Sequence, residues 1–154
     1  MISSSCHWAW FFAKCAKLTE RLSYSPRSVF NTFPWPQKPT KKQIDAVAEA
    51  GRAVRRIRAD ALTKIKGGLR AVYRTLELPG RNPLKDAHAA LDAAVLDAYG
   101  FSLNADLLKQ LLDLNLEVAD RIDQGEPVIA PGVPPSYGDT AGLITDDCIQ
   151  PPQL

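Results

Sequence analysis

The sequence predicts a mainly α protein. It reads as a small bundle of about four helices, preceded by an aromatic-rich α/β segment and followed by a disordered, proline-rich tail. Three observations carry this. Apolar residues recur at three- and four-residue spacing across roughly residues 40–124, the period of a helix with one buried face. Eight of the twelve aromatic residues crowd into residues 1–37, where large rings in so little chain need a surface to cover them. Six of the twelve prolines fall in residues 126–154, a composition that favours irregular chain over a packed core. The predicted division is therefore 1–37, 38–125 and 126–154. At 154 residues a core can form without disulfide or metal staples.

Each element has its own signature. A short helix is expected over roughly His7–Leu22, with Ser5 as its cap. Ser25-Pro26 and Pro34-Trp35-Pro36 then force extended or turn backbone, because a residue before proline avoids the α region. Thr40-Lys41-Lys42-Gln43 reads as a capping box. It opens a long helix whose stripe runs through Ile44, Val47, Val54, Ile57 and Ile65 until Gly67-Gly68 stops it. A shorter helix carries Leu69, Val72, Tyr73 and Leu76 to Pro79-Gly80. The next has Asn82 as cap, Pro83 in the first helical position, a stripe of Leu84, Ala87, Leu91, Val95 and Ala98, and Gly100 past its end. The last starts at Asn104, with Asp106 in its first turn, and runs through Leu107, Leu108, Leu111, Leu112 and Val118 to Gly125.

The net charge of +2 hides an asymmetry: residues 1–74 hold 15 basic and 4 acidic side chains, residues 75–154 hold 4 and 13. A basic half is a footprint for polyanions. Arg52, Arg55 and Arg56 share one side of the long helix by spacing, with Lys38, Lys41 and Lys42 upstream. Side chains of this kind drive sequence-independent affinity for DNA by releasing counterions from phosphates. The bland alternative is a solvated helix face, or one that answers the acidic half of the same chain.

Catalytic constellations are sparse. Cys6 and His7 are neighbours in sequence, and side chains at i and i+1 do not face each other on a helix. Gly67-Gly68 lacks the spacing of a phosphate-binding loop. No catalytic, cofactor-binding or metal residue is assigned. Three cysteines make no disulfide framework and fit a reducing, cytoplasmic setting. Trp8–Ala13 is too short to span a bilayer and lacks the layout of a signal peptide.

Several stretches resemble a known family. Val29-Phe30-Asn31-Thr32-Phe33-Pro34-Trp35-Pro36-Gln37, with Ser3–Trp10 and Tyr24-Ser25 before it, is similar to the close of the target-recognition region in large bacterial restriction–modification DNA adenine-N6 methyltransferases. Leu76–His88, Leu91–Val95 and Ala98–Phe101 look like that family's helical carboxy-terminal segment. The resemblance implies that residues 1–37 are the end of a recognition domain and 38–125 the helical domain after it. It also implies an S-adenosylmethionine-dependent parent enzyme that flips its adenine out of the duplex. The cofactor motif and the Asn/Asp-Pro-Pro-Tyr/Phe tetrapeptide are missing from this chain. Asn82-Pro83-Leu84-Lys85 lacks the second proline and the aromatic. No cofactor and no activity are therefore expected for this chain alone.

The functional expectation is a carboxy-terminal portion of such an enzyme that binds double-stranded DNA weakly by itself and meets the missing catalytic part. Arg21, Tyr24, Arg27, Lys38, Lys41, Lys42, Arg52, Arg55 and Arg56 are the candidate DNA contacts. The alternative is a structural helical module without DNA contact. Without further polypeptide, Trp8, Trp10, Phe11 and Phe12 are expected to form an exposed patch.

Overall fold

The computed structural model describes residues 3–18 and 21–144. Helix α1 spans Ser5–Lys14, and a two-stranded antiparallel hairpin follows, β1 (Ala16–Leu18) with β2 (Arg21–Ser23). A π-helical turn at Pro26–Phe30 leads into the Phe33–Pro39 linker. Helices α2 (Lys41–Lys64), α3 (Gly68–Arg74), α4 (Pro83–Tyr99) and α5 (Leu107–Asp123) complete the bundle. The mainly α architecture expected from the periodicity is the one observed.

Local chemistry sets most boundaries. At the start of α2, Thr40 Oγ1 accepts from Gln43 N at 3.3 Å and Gln43 Oε1 accepts from Thr40 N at 2.9 Å, a complete capping box. Gly67, with φ of 110°, makes the break after α2; a Cβ there would lie 3.0 Å from Ala71 Cβ, so an alanine is strained twice over. Asn82 caps α4 by accepting from Leu84 N at 3.0 Å and Lys85 N at 3.4 Å. Gly100 closes it at φ 68°.

Three boundaries differ from expectation. The first helix ends at Lys14 rather than Leu22, and its cap is Ser4, not Ser5. Ala16-Lys17-Leu18 and Arg21-Leu22-Ser23 alternate in polarity, a period-two pattern that favours the hairpin. In the last helix Asp106 is itself the cap, accepting from Lys109 N at 2.7 Å, so Asn104 lies outside.

The core is continuous from end to end. Cys6, Trp10 and Phe11 of α1, Val29 and Phe33 of the following turn and linker, Val54 of α2, Val72 of α3, Leu84, Ala87, Leu91 and Val95 of α4 and Leu111 of α5 form one buried cluster. The most extensive helix contact is α2 on α4, and α1 packs on α5 and α4. The expected aromatic patch is thus half internal. Trp10 and Phe11 are buried, while Trp8 and Phe12 remain 60% and 46% exposed. Trp10 is held by a hydrogen bond from Nε1 to Thr32 Oγ1 at 3.2 Å. Burying one such side chain contributes about 1.5–3 kcal/mol, and the acidic half of the chain supplies the cover through α4 and α5.

Residues 126–144 hold only single 3-10 turns, at Pro135–Tyr137 and Ala141–Leu143. They nevertheless lie against the body. Gln37 holds Ile129, Pro134 is buried, and Arg52 reaches Gly142. The rest of the predicted tail, 145–154, falls outside the described residues.

Candidate nucleic-acid interface

Helix α2 has two unlike faces. Val47, Ala50, Val54, Ile57 and Ala61 turn inward onto the core. The charged residues occupy the remaining arc, and Gln43 Nε2 donates to Asp97 O at 2.8 Å, fastening the start of α2 to the end of α4. Lys42, Arg55 and Arg56 are exposed. With Arg52 they present cations over roughly one helical turn from 52 to 56, with one more at 42, a geometry suited to phosphate backbone.

On α2, Lys41 and Arg52 of the predicted set reach toward the chain itself. Lys41 Nζ donates to Asp45 Oδ2 at 2.8 Å and sits 5.0 Å from the centre of the Tyr137 ring. The Asp45 hydrogen bond raises the Lys41 pKa, and the same pair, helped by the Tyr137 hydroxyl, lowers that of Asp45. Arg52 pairs with Glu49 at 3.4 Å and donates from Nη2 to Gly142 O at 2.6 Å.

The other predicted residues lie before α2. Lys38 is exposed on the linker and Arg27 on the π-helical turn. Arg21 belongs to β2, in register with Leu18; its side chain is outside the described residues. Tyr24 follows the hairpin, with its ring stacked on Phe11 at 5.7 Å and its hydroxyl 3.1 Å from His7 Nε2. The nine residues therefore form a group on α2 and its linker and a second group on the hairpin and turn.

The sequence reading missed the side chains that tie these pieces together. Gln37 bonds both backbone groups of Ile129. Arg121 reaches Glu126 at 3.2 Å and the carbonyl of Pro127. Tyr137 donates to Asp45. Apart from the Arg121–Glu126 pair, their signal was weak because each partner is a backbone carbonyl or lies about 90 residues away.

Nucleophilic chemistry finds little support in this geometry. Burial, then the nearby Asp92 carboxylate, pushes the Cys6 thiol up to about 11, which keeps it protonated. Burial lowers the pKa of His7, and its Nδ1 has no hydrogen-bond partner among the described residues. Asn82 is fully used: it accepts the two backbone bonds of the cap and donates from Nδ2 to Thr75 O at 3.0 Å and Thr75 Oγ1 at 3.1 Å. No helix among the described residues is long and apolar enough to cross a membrane.

Residues 1–37 match the family model of the MmeI target recognition domain. The chain is also similar to a solved structure of the Type IIL restriction–modification enzyme MmeI in complex with DNA, at 29% identity and a TM-score of 0.65 over 76% of this chain. The chain spans 15% of that enzyme's length. No curated protein matches it. The resemblance to part of a restriction–modification enzyme, read first from Val29–Gln37 and Leu76–Phe101, is thus found independently in sequence and in structure.

Proposed function

We propose that this chain serves as the carboxy-terminal, DNA-facing and supporting portion of a restriction–modification DNA methyltransferase that acts on the N6 amine of adenine. The observation that carries the reading is the likeness to the DNA-bound enzyme over 76% of the chain. The cations of α2 agree with it. Lys42, Arg55 and Arg56 would meet phosphates, with Lys38, Arg27, Arg21 and Tyr24 on the side of the recognition segment. Phosphate contacts position a protein on the duplex without reading sequence, so the isolated chain binds double-stranded DNA weakly and with little selectivity. Base reading and catalysis belong to polypeptide beyond this segment.

Two observations support the further proposal that the chain alone holds no S-adenosylmethionine and transfers no methyl group. Among the described residues the one sheet is the two-stranded antiparallel hairpin, which offers no parallel-strand crevice of the kind that seats a nucleotide cofactor. Asn82, the one residue that resembles the start of the catalytic tetrapeptide, spends its carboxamide on the α4 cap.

A structural module without DNA contact is the competing reading, favoured by the way Lys41 and Arg52 turn inward to Asp45 and Gly142. Anisotropy of a labelled mixed-sequence duplex separates the two. The Arg55→Glu/Arg56→Glu variant loses retention and flattens the salt dependence under the first reading. Unchanged binding overturns that reading. Calorimetric titration with S-adenosylmethionine tests the cofactor proposal, and measurable binding refutes it.

A further inference from the structure

The tail lies where a ligand of α2 would lie. Its start is held firmly: Gln37 Nε2 donates to Ile129 O at 3.1 Å, Gln37 Oε1 accepts from Ile129 N at 2.9 Å, and Arg121 Nη2 donates to Pro127 O. From there the chain walls off an apolar cleft of about 450 Å³, with Trp35, Ile44 and Val47 on the body's side and Val133, Pro134 and Leu143 on its own. Proline-bearing extended chain against an aromatic-lined groove is a recurrent mode of peptide recognition. Here the peptide is the chain's own.

The far end reaches the basic arc. Tyr137 stacks over Lys41 at 5.0 Å and donates its hydroxyl to Asp45. Arg52 donates to the carbonyl of Gly142 at 2.6 Å. These contacts are exposed or half-exposed, and exposed pairs of this type are individually weak. A phosphate is a better acceptor for Arg52 than a neutral carbonyl, because charge-assisted hydrogen bonds are about twice as strong. Firm anchorage at 127–129 and a loose end at 137–143 make a hinged cover.

We infer that residues 130–143 form a tethered strap that closes over the amino-terminal half of α2 and withholds Lys41 and Arg52 from polyanions. The inference rests on the reading of α2 as a DNA-facing helix. Closed, the strap leaves Lys42 and Arg56 exposed on the helix. Open, it releases two further phosphate contacts. Bound duplex and closed strap therefore exclude each other at Arg52.

The test compares the full chain with the Tyr137→Ala/Leu143→Ala variant, which loosens the strap while leaving every proposed DNA contact in place. A second variant lacks residues 126–154, and circular dichroism confirms that both fold. Titrating a labelled 20-base-pair duplex from 50 to 200 mM salt, the loosened chains bind more tightly at the low end. Two extra contacts steepen the salt slope by about 1.8, so the gain shrinks about tenfold across that range. Hydrogen exchange adds a second measure: duplex added to the full chain raises exchange at residues 137–143 and leaves α4 unchanged. If all three chains bind with the same affinity and slope, the strap is overturned while DNA binding stands. If none of them binds at 50 mM salt, the DNA-facing reading falls and the strap falls with it.

Discussion

The Gln37 side chain meets the backbone of Ile129 as a neighbouring strand would, accepting from its N–H at 2.9 Å and donating to its carbonyl at 3.1 Å. One amide thereby joins the Phe33–Pro39 linker to the chain that leaves α5. Net hydrogen bonds of this kind contribute about 0.5–1.5 kcal/mol each. Gln37→Ala is expected to release the 127–133 stretch without unfolding the helices. Amide exchange at Ile129 should rise by at least tenfold, with α4 protection unchanged; equal exchange at Ile129 in both proteins refutes the pin.

The tryptophans of α1 divide sharply. Trp8 is 60% exposed, with its ring against Phe12 at 4.9 Å, whereas Trp10 is fully buried and bonded to Thr32. Iodide should quench Trp8 readily and leave Trp10 almost untouched, as single-tryptophan variants would report. Trp10→Ala should cost about 3–5 kcal/mol through lost transfer energy and the cavity left behind. Trp8→Ala should change stability by less than about 0.5 kcal/mol. Comparable losses from the two in urea denaturation would contradict the packing described.

Acid should weaken the fold through His7. Burial lowers its pKa below the ordinary 6.5, so the folded protein resists a proton that the unfolded chain accepts. The stability contributed by neutral His7 is complete above pH 6.5 and is lost as pH falls toward the lowered value. Unfolding midpoints measured between pH 7.5 and 5 should drop for the parent chain. His7→Gln should flatten that drop, and parallel curves for the two proteins would remove His7 from the account.

Legibility followed the range of the interaction. The α2 capping box and the Asn82–Gly100 limits of α4 were readable because each depends on residues within four positions. The hairpin was missed because the ten-residue helix before it masked a brief period-two alternation. The burial of Trp10 and Phe11 was missed for another reason: their cover comes from α4 and α5, across about 80–100 residues of sequence. For the candidate interface, spacing alone located the cations of α2. It could not show that Arg52 bonds Gly142 or that Tyr137 lies over Lys41. A proline-rich composition predicts irregular backbone and is silent on where that backbone rests.

Asn82 offers a test that separates capping from chemistry. Its Oδ1 accepts from Leu84 N and Lys85 N, and its Nδ2 donates to Thr75 O and Oγ1, so one side chain both starts α4 and ties it to the end of α3. Asn82→Asp keeps the acceptor and gains from the helix dipole, but it sets an oxygen against the Thr75 carbonyl. Asn82→Ala loses everything, at a cost of about 2 kcal/mol by analogy with other cap deletions. Urea denaturation should therefore rank the parent above Asn82→Asp and Asn82→Ala last. DNA affinity should stay constant across the three at a temperature where all are folded, since none of the proposed phosphate contacts is touched. A loss of DNA binding without a loss of stability would instead put Asn82 in the interface and break the structural account of the tetrapeptide.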